Sequence, residues 1–264
     1  MANITKNNKL CRSCQKKSVS LQGITTKKQF IMNKKTLILA IVATTTVGAA
    51  NAQNSMKYGS HSYEVKGEMF TEEDNNYYGP RKTPTAWVTF TNIPSDYEEF
   101  EAVYKGLLGK SIQGTVAMIP MAIELYARDS SVGERCFNLI CNGPATVSEM
   151  LRILKTKLVP SQYGPANDPY IQRYMAAALL KGAQASNAYT PTEPYTVEMC
   201  SSANRPRGSM NGTVYYVYIL AKGWDTEQRQ VEILESSDGL YKVFNCPSCY
   251  VQCKNIQGQW GGLK

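Results

Sequence analysis

Residues 213–244 read TVYYVYILAKGWDTEQRQVEILESSDGLYKVF. β-Branched and aromatic side chains fill Thr213 to Ala221, Gln230 to Leu234 and Leu240 to Phe244, with polar residues between the runs. Such side chains suit a pleated, half-buried surface. Asp238-Gly239 is a two-residue hairpin signal, because both positions of that turn need positive φ. Asn211-Gly212 marks a turn before the first run, and Tyr195 to Cys200 is one more strand-like segment. The stretch predicts an antiparallel β-meander.

Toward the N-terminus the period changes from two to 3.6. Ser95-x-x-Glu98 forms a capping box, and Phe100, Val103, Tyr104, Leu107 and Leu108 follow at helical spacing until Gly109. A second stripe runs Ile112, Val116, Ile119, Ile123, Tyr126 and is expected to kink or break at Pro120. A third segment spans Val132 to Cys141. Thr146-x-x-Glu149 caps a fourth, ahead of Met150, Ile153, Leu154 and Leu158. Asp168-Pro169 is expected to open a fifth helix through Tyr170, Tyr174 and Leu180 to Gly182. Trp87 to Phe90 reads as one short strand before the helices. A helical centre followed by a β-meander is an α+β arrangement, expected as a single domain over 85–264. Residues 53–84, with Thr71-Glu72-Glu73-Asp74-Asn75-Asn76 and Gly79-Pro80, read as a polar, mobile lead-in.

Before that domain lies a secretory signal over 32–52. Lys34 and Lys35 form the positive region, Leu37 to Ala50 the apolar core, and Ala50-Asn51-Ala52 the small-residue cleavage site. The apolar run is shorter than the ~20 residues of a membrane span. Cleavage after Ala52 leaves a chain that is periplasmic or secreted, with no transmembrane span. Residues 1–31 then read as a non-native extension ahead of a start at Met32. Cys11 and Cys14 within it make only half a zinc site.

Processing also changes the charge. The whole chain is formally +8, with 29 Lys and Arg against 21 Asp and Glu. Nine of the basic residues and none of the acidic ones precede Gln53, leaving 20 basic and 21 acidic residues. A near-neutral domain has no long-range attraction for phosphate backbones, so nucleic acid is excluded as a partner.

The chemistry-bearing residues are few. Six cysteines lie beyond the signal, and an even count in an exported chain suggests disulfides. Cys246-Pro247-Ser248-Cys249 has the spacing of a redox motif, but no helix signal follows it to lower a thiol pKa. With Cys253, and Cys200 as a fourth ligand, the same thiols suit zinc. Arg205 and Arg207 form a basic corner whose guanidinium groups suit a carboxylate or phosphate, although a solvated turn is the simpler explanation. His61 is the only histidine and falls in the lead-in, where a Ser–His or Cys–His pair would have to recruit it. No carboxylate pair is singled out by its neighbours. No phosphate-cradling glycine loop is present, and no cofactor is indicated.

Several stretches, taken in order, resemble a family of uncharacterised secreted or periplasmic proteins from gut Bacteroides-type bacteria. They are Pro94 to Gly109, Gln113 to Ala117, the Asp168-Pro169-Tyr170 segment, Gly182-Ala183 through Asn187 to Pro191 with Pro194-Tyr195, Arg205 to Arg207, and Lys242-Val243-Phe244. The resemblance covers roughly 86–255. It implies a domain of unknown function and supplies no catalytic residue. Cys246, Cys249 and Cys253 do not belong to its pattern. The sequence therefore points to an exported binding or interaction module rather than an enzyme, its ligand unknown: an envelope or extracellular protein, or a glycan. The runner-up is a hydrolase of cell-envelope or dietary polymers using unidentified carboxylates. A third reading is a thiol redox or zinc protein built on Cys246, Cys249 and Cys253.

Overall fold

An eight-stranded antiparallel sheet forms the base of the molecule, and four helices cover one of its faces. The computed structural model describes residues 54–70, 83–158, 172–202, 206–209 and 212–256, all within one compact unit. The strands are β1 (Ser55–Tyr58), β2 (His61–Gly67), β3 (Ala86–Phe90), β4 (Tyr195–Ser201), β5 (Arg207–Ser209), β6 (Gly212–Leu220), β7 (Gln228–Glu235) and β8 (Tyr241–Asn245). They lie in the order β1-β2-β3-β4-β6-β7-β8, with β5 paired to β6. The helices α1 (Tyr97–Gly106), α2 (Ile112–Arg128), α3 (Ser130–Ile140) and α4 (Pro144–Leu158) all fall between β3 and β4. This is the expected α+β arrangement.

Register explains which face is covered. Tyr63 faces Phe90, Val65 faces Val88, Val88 faces Val197, and Met199 faces Ile219. Val217 faces Val231, and Ile233 faces Val243. All of these are buried and share one core. Because successive side chains alternate across a strand, this row puts one side of the sheet in the main core, while Val214, Tyr216 and Leu234, which alternate with it on β6 and β7, form a smaller separate buried cluster. α2 meets it along β3, β7 and β8. Helix α2 continues through Pro120 instead of breaking there. The proline removes one backbone hydrogen bond, but its ring is buried with Met118, Ile119 and Met121, so burial outweighs the loss. Gly133 lets α3 approach α2: a Cβ there would lie 2.2 Å from Tyr126 Cα.

Several local expectations shift. The polar segment over 53–84 supplies β1 and β2, and places Tyr63 and Val65 in the core; its stretch over 71–82 lies outside the described residues. The first helix is capped by Asp96, not Ser95. Asp96 accepts from the Glu99 amide at 2.9 Å, and Glu99 in turn accepts from the Ser95 amide at 2.7 Å. Thr146 caps nothing. Helix α4 already begins at Pro144, in the first turn where a missing N–H costs little, and Thr146 Oγ1 donates to the Phe244 carbonyl at 3.3 Å. The fifth helix is absent from 172–182, where only a 3₁₀ turn over Ala177–Leu179 forms. Its opening residues 168–171 lie outside the described residues. The Asp238-Gly239 hairpin has a three-residue loop rather than two. Ser236 N donates to Leu240 O at 2.8 Å, and Gly239 takes φ 77°. A left-handed residue is what a three-residue loop requires at that place.

The last segment, 246–256, straps the helical side to the sheet. Gln172 bonds both backbone groups of Cys253, at 3.0 and 2.8 Å. Trp224 Nε1 donates to Val251 O at 3.2 Å, and Tyr189 OH donates to Lys254 O at 2.6 Å.

Candidate functional site

One feature of the sequence that belonged to no motif becomes prominent in the structure. β2 opens with His61, and its Nδ1 lies 2.7 Å from Glu99 Oε1 in the first turn of α1. Tyr63, one residue further along the same face, donates its hydroxyl to the same oxygen at 2.7 Å. The other carboxylate oxygen takes the Ser95 amide. Asp96 holds this turn in register, so the local capping pattern and the strand register together converge three donors on one buried carboxylate.

The electrostatics fix the protons. Burial acts to raise the Glu99 carboxyl, but hydrogen bonds from Ser95, Tyr63 and His61 outweigh it and hold it below its ordinary range. An ionised carboxylate only accepts. The Nδ1 of His61 must therefore carry a proton, which leaves Nε2 as the free end of the ring. Burial and the bond to Glu99 push the Tyr63 hydroxyl far above its usual range, so it remains a donor.

His61 lines a solvent-facing cleft of about 400 Å³. The polar lining also includes Asn92, Ser95 and the α2 residues Glu124 and Arg128. Arg128 Nε donates to Glu124 Oε1 at 2.9 Å, one helical turn apart. Its apolar lining comes from Ile93, Ala177, Leu180, Pro191 and Tyr195. The segment that carries Leu180 and Pro191 is anchored through its backbone. Lys181 N donates to Thr196 O at 2.8 Å and Thr192 N to Lys181 O at 2.9 Å, stitching it to β4. Asn187 Nδ2 closes the loop onto the Gly182 and Thr190 carbonyls at 2.9 and 3.0 Å. Tyr195 packs edge-on against Phe90, with centroids 5.8 Å apart.

The residues singled out in the sequence lie elsewhere. Arg207, on β5, is exposed; its Nη2 is 3.7 Å from Glu232 Oε2, and its guanidinium carbon lies 5.3 Å from the Tyr216 ring centre. It does not line the cleft. Arg205 lies outside the described residues. Cys200, Cys246, Cys249 and Cys253 are all buried, and none of the described cysteines is in a disulfide. The disulfide expectation is thus corrected for these six. Cys246 precedes and Cys249 ends a 3₁₀ turn, Pro247–Cys249, closed by Cys249 N donating to Cys246 O at 3.0 Å. A hydrogen bond with Cys249, together with burial, pushes the Cys246 thiol up, opposite to the shift of a redox nucleophile. Burial likewise raises Cys253 to about 12. Among the described residues, no group of three or more His, Cys, Asp or Glu is placed to hold a metal ion.

Sequence reasoning missed the His61–Glu99–Tyr63 cluster because its members are 36 and 38 positions apart and meet only once β2 joins the sheet. The available signal was the alternation Ser62, Tyr63, Glu64, Val65, Lys66, which marks a half-buried strand with the sole histidine at its head.

No described helix is long and apolar enough to cross a membrane. No curated protein and no solved structure matches the chain. A family model does match residues 92–257, more than half the chain, from just after β3 to the C-terminal strap. The chain belongs to the family described as Domain of unknown function (DUF6935).

Proposed function

We propose that the protein is an exported binding module whose ligand occupies the His61–Arg128 cleft. The observation that carries the reading is the preset ring of His61. A buried, fully hydrogen-bonded Glu99 fixes its tautomer and orientation before any ligand arrives. A lining that combines a few preorganised polar groups with apolar side chains is the usual composition of a recognition site. A hydrolase would need two carboxylates turned on one substrate. Here Glu99 stands behind His61, and Glu124 is engaged by Arg128, which favours binding over hydrolysis.

Export is part of the proposal. It rests on the 32–52 signal and its Ala50-Asn51-Ala52 site. The first strand begins at Ser55, just beyond the expected mature start at Gln53, so cleavage removes no described element. Expression of the full chain with N-terminal sequencing of the product tests export; a product starting upstream of Met32 would defeat it. The cleft is tested by screening a library of small polar compounds by amide chemical shifts. Shifts should concentrate at Ile93, Ser95, Ala177 and Leu180. Binders that consistently map elsewhere would remove the cleft from consideration.

A further inference from the structure

We propose that the ligand of this cleft is a neutral oligosaccharide; the inference rests on the cleft being the binding site.

Charge is the first argument. The two residues of the lining that carry a formal charge, Glu124 and Arg128, pair with each other at 2.9 Å. An anionic ligand would find one exposed guanidinium with a carboxylate beside it, and a cationic ligand would meet the reverse. Neither gains a net Coulomb attraction, while a neutral ligand forfeits none.

Hydrogen-bonding capacity is the second. The side chains of Asn92 and Ser95 and the Nε2 of His61 bond no protein group among the described residues, yet all three residues border the cleft. Arg128 and Glu124 are joined through Nε and Oε1, so the pair brings further N–H donors and a second carboxylate oxygen to the lining. The lining therefore mixes donors and acceptors. A hydroxyl both donates and accepts, so neighbouring hydroxyls on a sugar ring satisfy such a mixture, whereas a carboxylate or an ammonium meets only half of it.

Shape is the third. A pyranose has an apolar C–H face as well as a rim of hydroxyls. Beside its polar groups the lining carries Ile93, Leu180, Pro191 and the half-buried Tyr195. Phe90 holds the Tyr195 ring from the core side, so stacking a sugar on it orders little that is still free. At about 400 Å³ and facing solvent, the cleft has room for a short saccharide.

The test uses the folded mature protein and six probes: maltotetraose, cellotetraose, mannotetraose, tetra-N-acetylchitotetraose, tetragalacturonate and a mixed tetrapeptide library. Calorimetry gives affinity, and amide shifts give location. At least one neutral tetrasaccharide should bind with shifts at Ile93, Ser95, Ala177 and Leu180. Asn92→Ala and Arg128→Ala, both at exposed positions, should each weaken that binding about tenfold while leaving the unfolding midpoint in place. If only tetragalacturonate or the peptides move these amides, the sugar inference falls and the cleft reading survives. If a saccharide binds but shifts residues elsewhere and ignores both variants, the cleft reading falls too. If no neutral tetrasaccharide binds, the ligand class is overturned.

Discussion

Replacing Glu99 should damage the fold before it damages anything else. The side chain accepts hydrogen bonds from Tyr63 OH, His61 Nδ1 and Ser95 N, each at 2.7 Å, and is almost fully buried. Hydrogen bonds to a charged group contribute roughly 1.5–3 kcal/mol each. The three share one acceptor, so they do not add. In Glu99→Ala the buried Tyr63 hydroxyl is left without an acceptor, and the loss should be about 3–5 kcal/mol, the scale of a broken buried ion pair. Glu99→Gln keeps one oxygen but turns an NH₂ toward the Ser95 amide, donor against donor, and should cost about 2–3 kcal/mol. The assay is urea unfolding with the m-value checked for constancy, repeated from pH 7 down to pH 3. The sign follows from the depressed carboxyl of Glu99. Its contribution is complete above the ordinary glutamate range near ~4.3 and is lost as pH falls through the lower, folded value. The gap between wild type and Glu99→Gln should therefore be widest at neutral pH and close in acid. A variant within about 0.5 kcal/mol of wild type at pH 7, the scale of an ordinary surface substitution, with a gap flat in pH, would refute the cluster.

Three further outcomes are expected. Gly133→Ala should lower stability by about 1–3 kcal/mol in denaturant despite alanine's better helix propensity, because its Cβ would fall 2.2 Å from Tyr126 Cα; an unchanged midpoint would mean α2 and α3 do not touch there. Tyr189→Phe should cost about 1–2 kcal/mol, since its hydroxyl ties the cleft-wall segment to Lys254 O at 2.6 Å, and hydrogen exchange should show the 183–192 loop opening first. Cys136, Cys141, Cys246, Cys249 and Cys253 should resist a disulfide reagent at pH 8 in the native state and react on denaturation, because they are buried; rapid native labelling of any of them would contradict that burial.

Much of this fold was legible in the sequence, and the misses have physical causes. The runs around Val217, Ile233 and Val243 and the stripes of α1 and α2 bury large apolar areas, and their periodicity survives any tertiary context. β1 and β2 were read as a loop because they lie toward the sheet edge and bury little beyond Tyr63 and Val65, so polar residues dominate them. The 172–182 segment was read as a helix because it is apolar. Yet Met175, Ala176, Ala178, Leu179 and Leu180 are buried in near succession, on no single face, and Gln172 is spent on the Cys253 backbone. The first cap moves one residue, because Asp96 beside Ser95 can bond the Glu99 amide, and the fourth helix begins ahead of Thr146 because Pro144 is tolerated in its first turn. The cleft itself was out of reach: it needs Glu99 from α1, His61 from β2 and Tyr195 from β4, and no window of sequence spans them.

The seam between β3 and β4 has a consequence for how the protein folds. Thr89 and Thr196 face each other across it at 107 residues' separation, and every helix lies in the excursion between them. Closing so long a loop comes before any reward from the pairing, and topologies rich in such pairings fold slowly. A nascent chain that ends before Tyr195 has only the three N-terminal strands and lacks the partner that would seal Val88 beneath the helices. The core is completed only once β4 and the strands after it are available, so the chain stays unlocked through most of its synthesis.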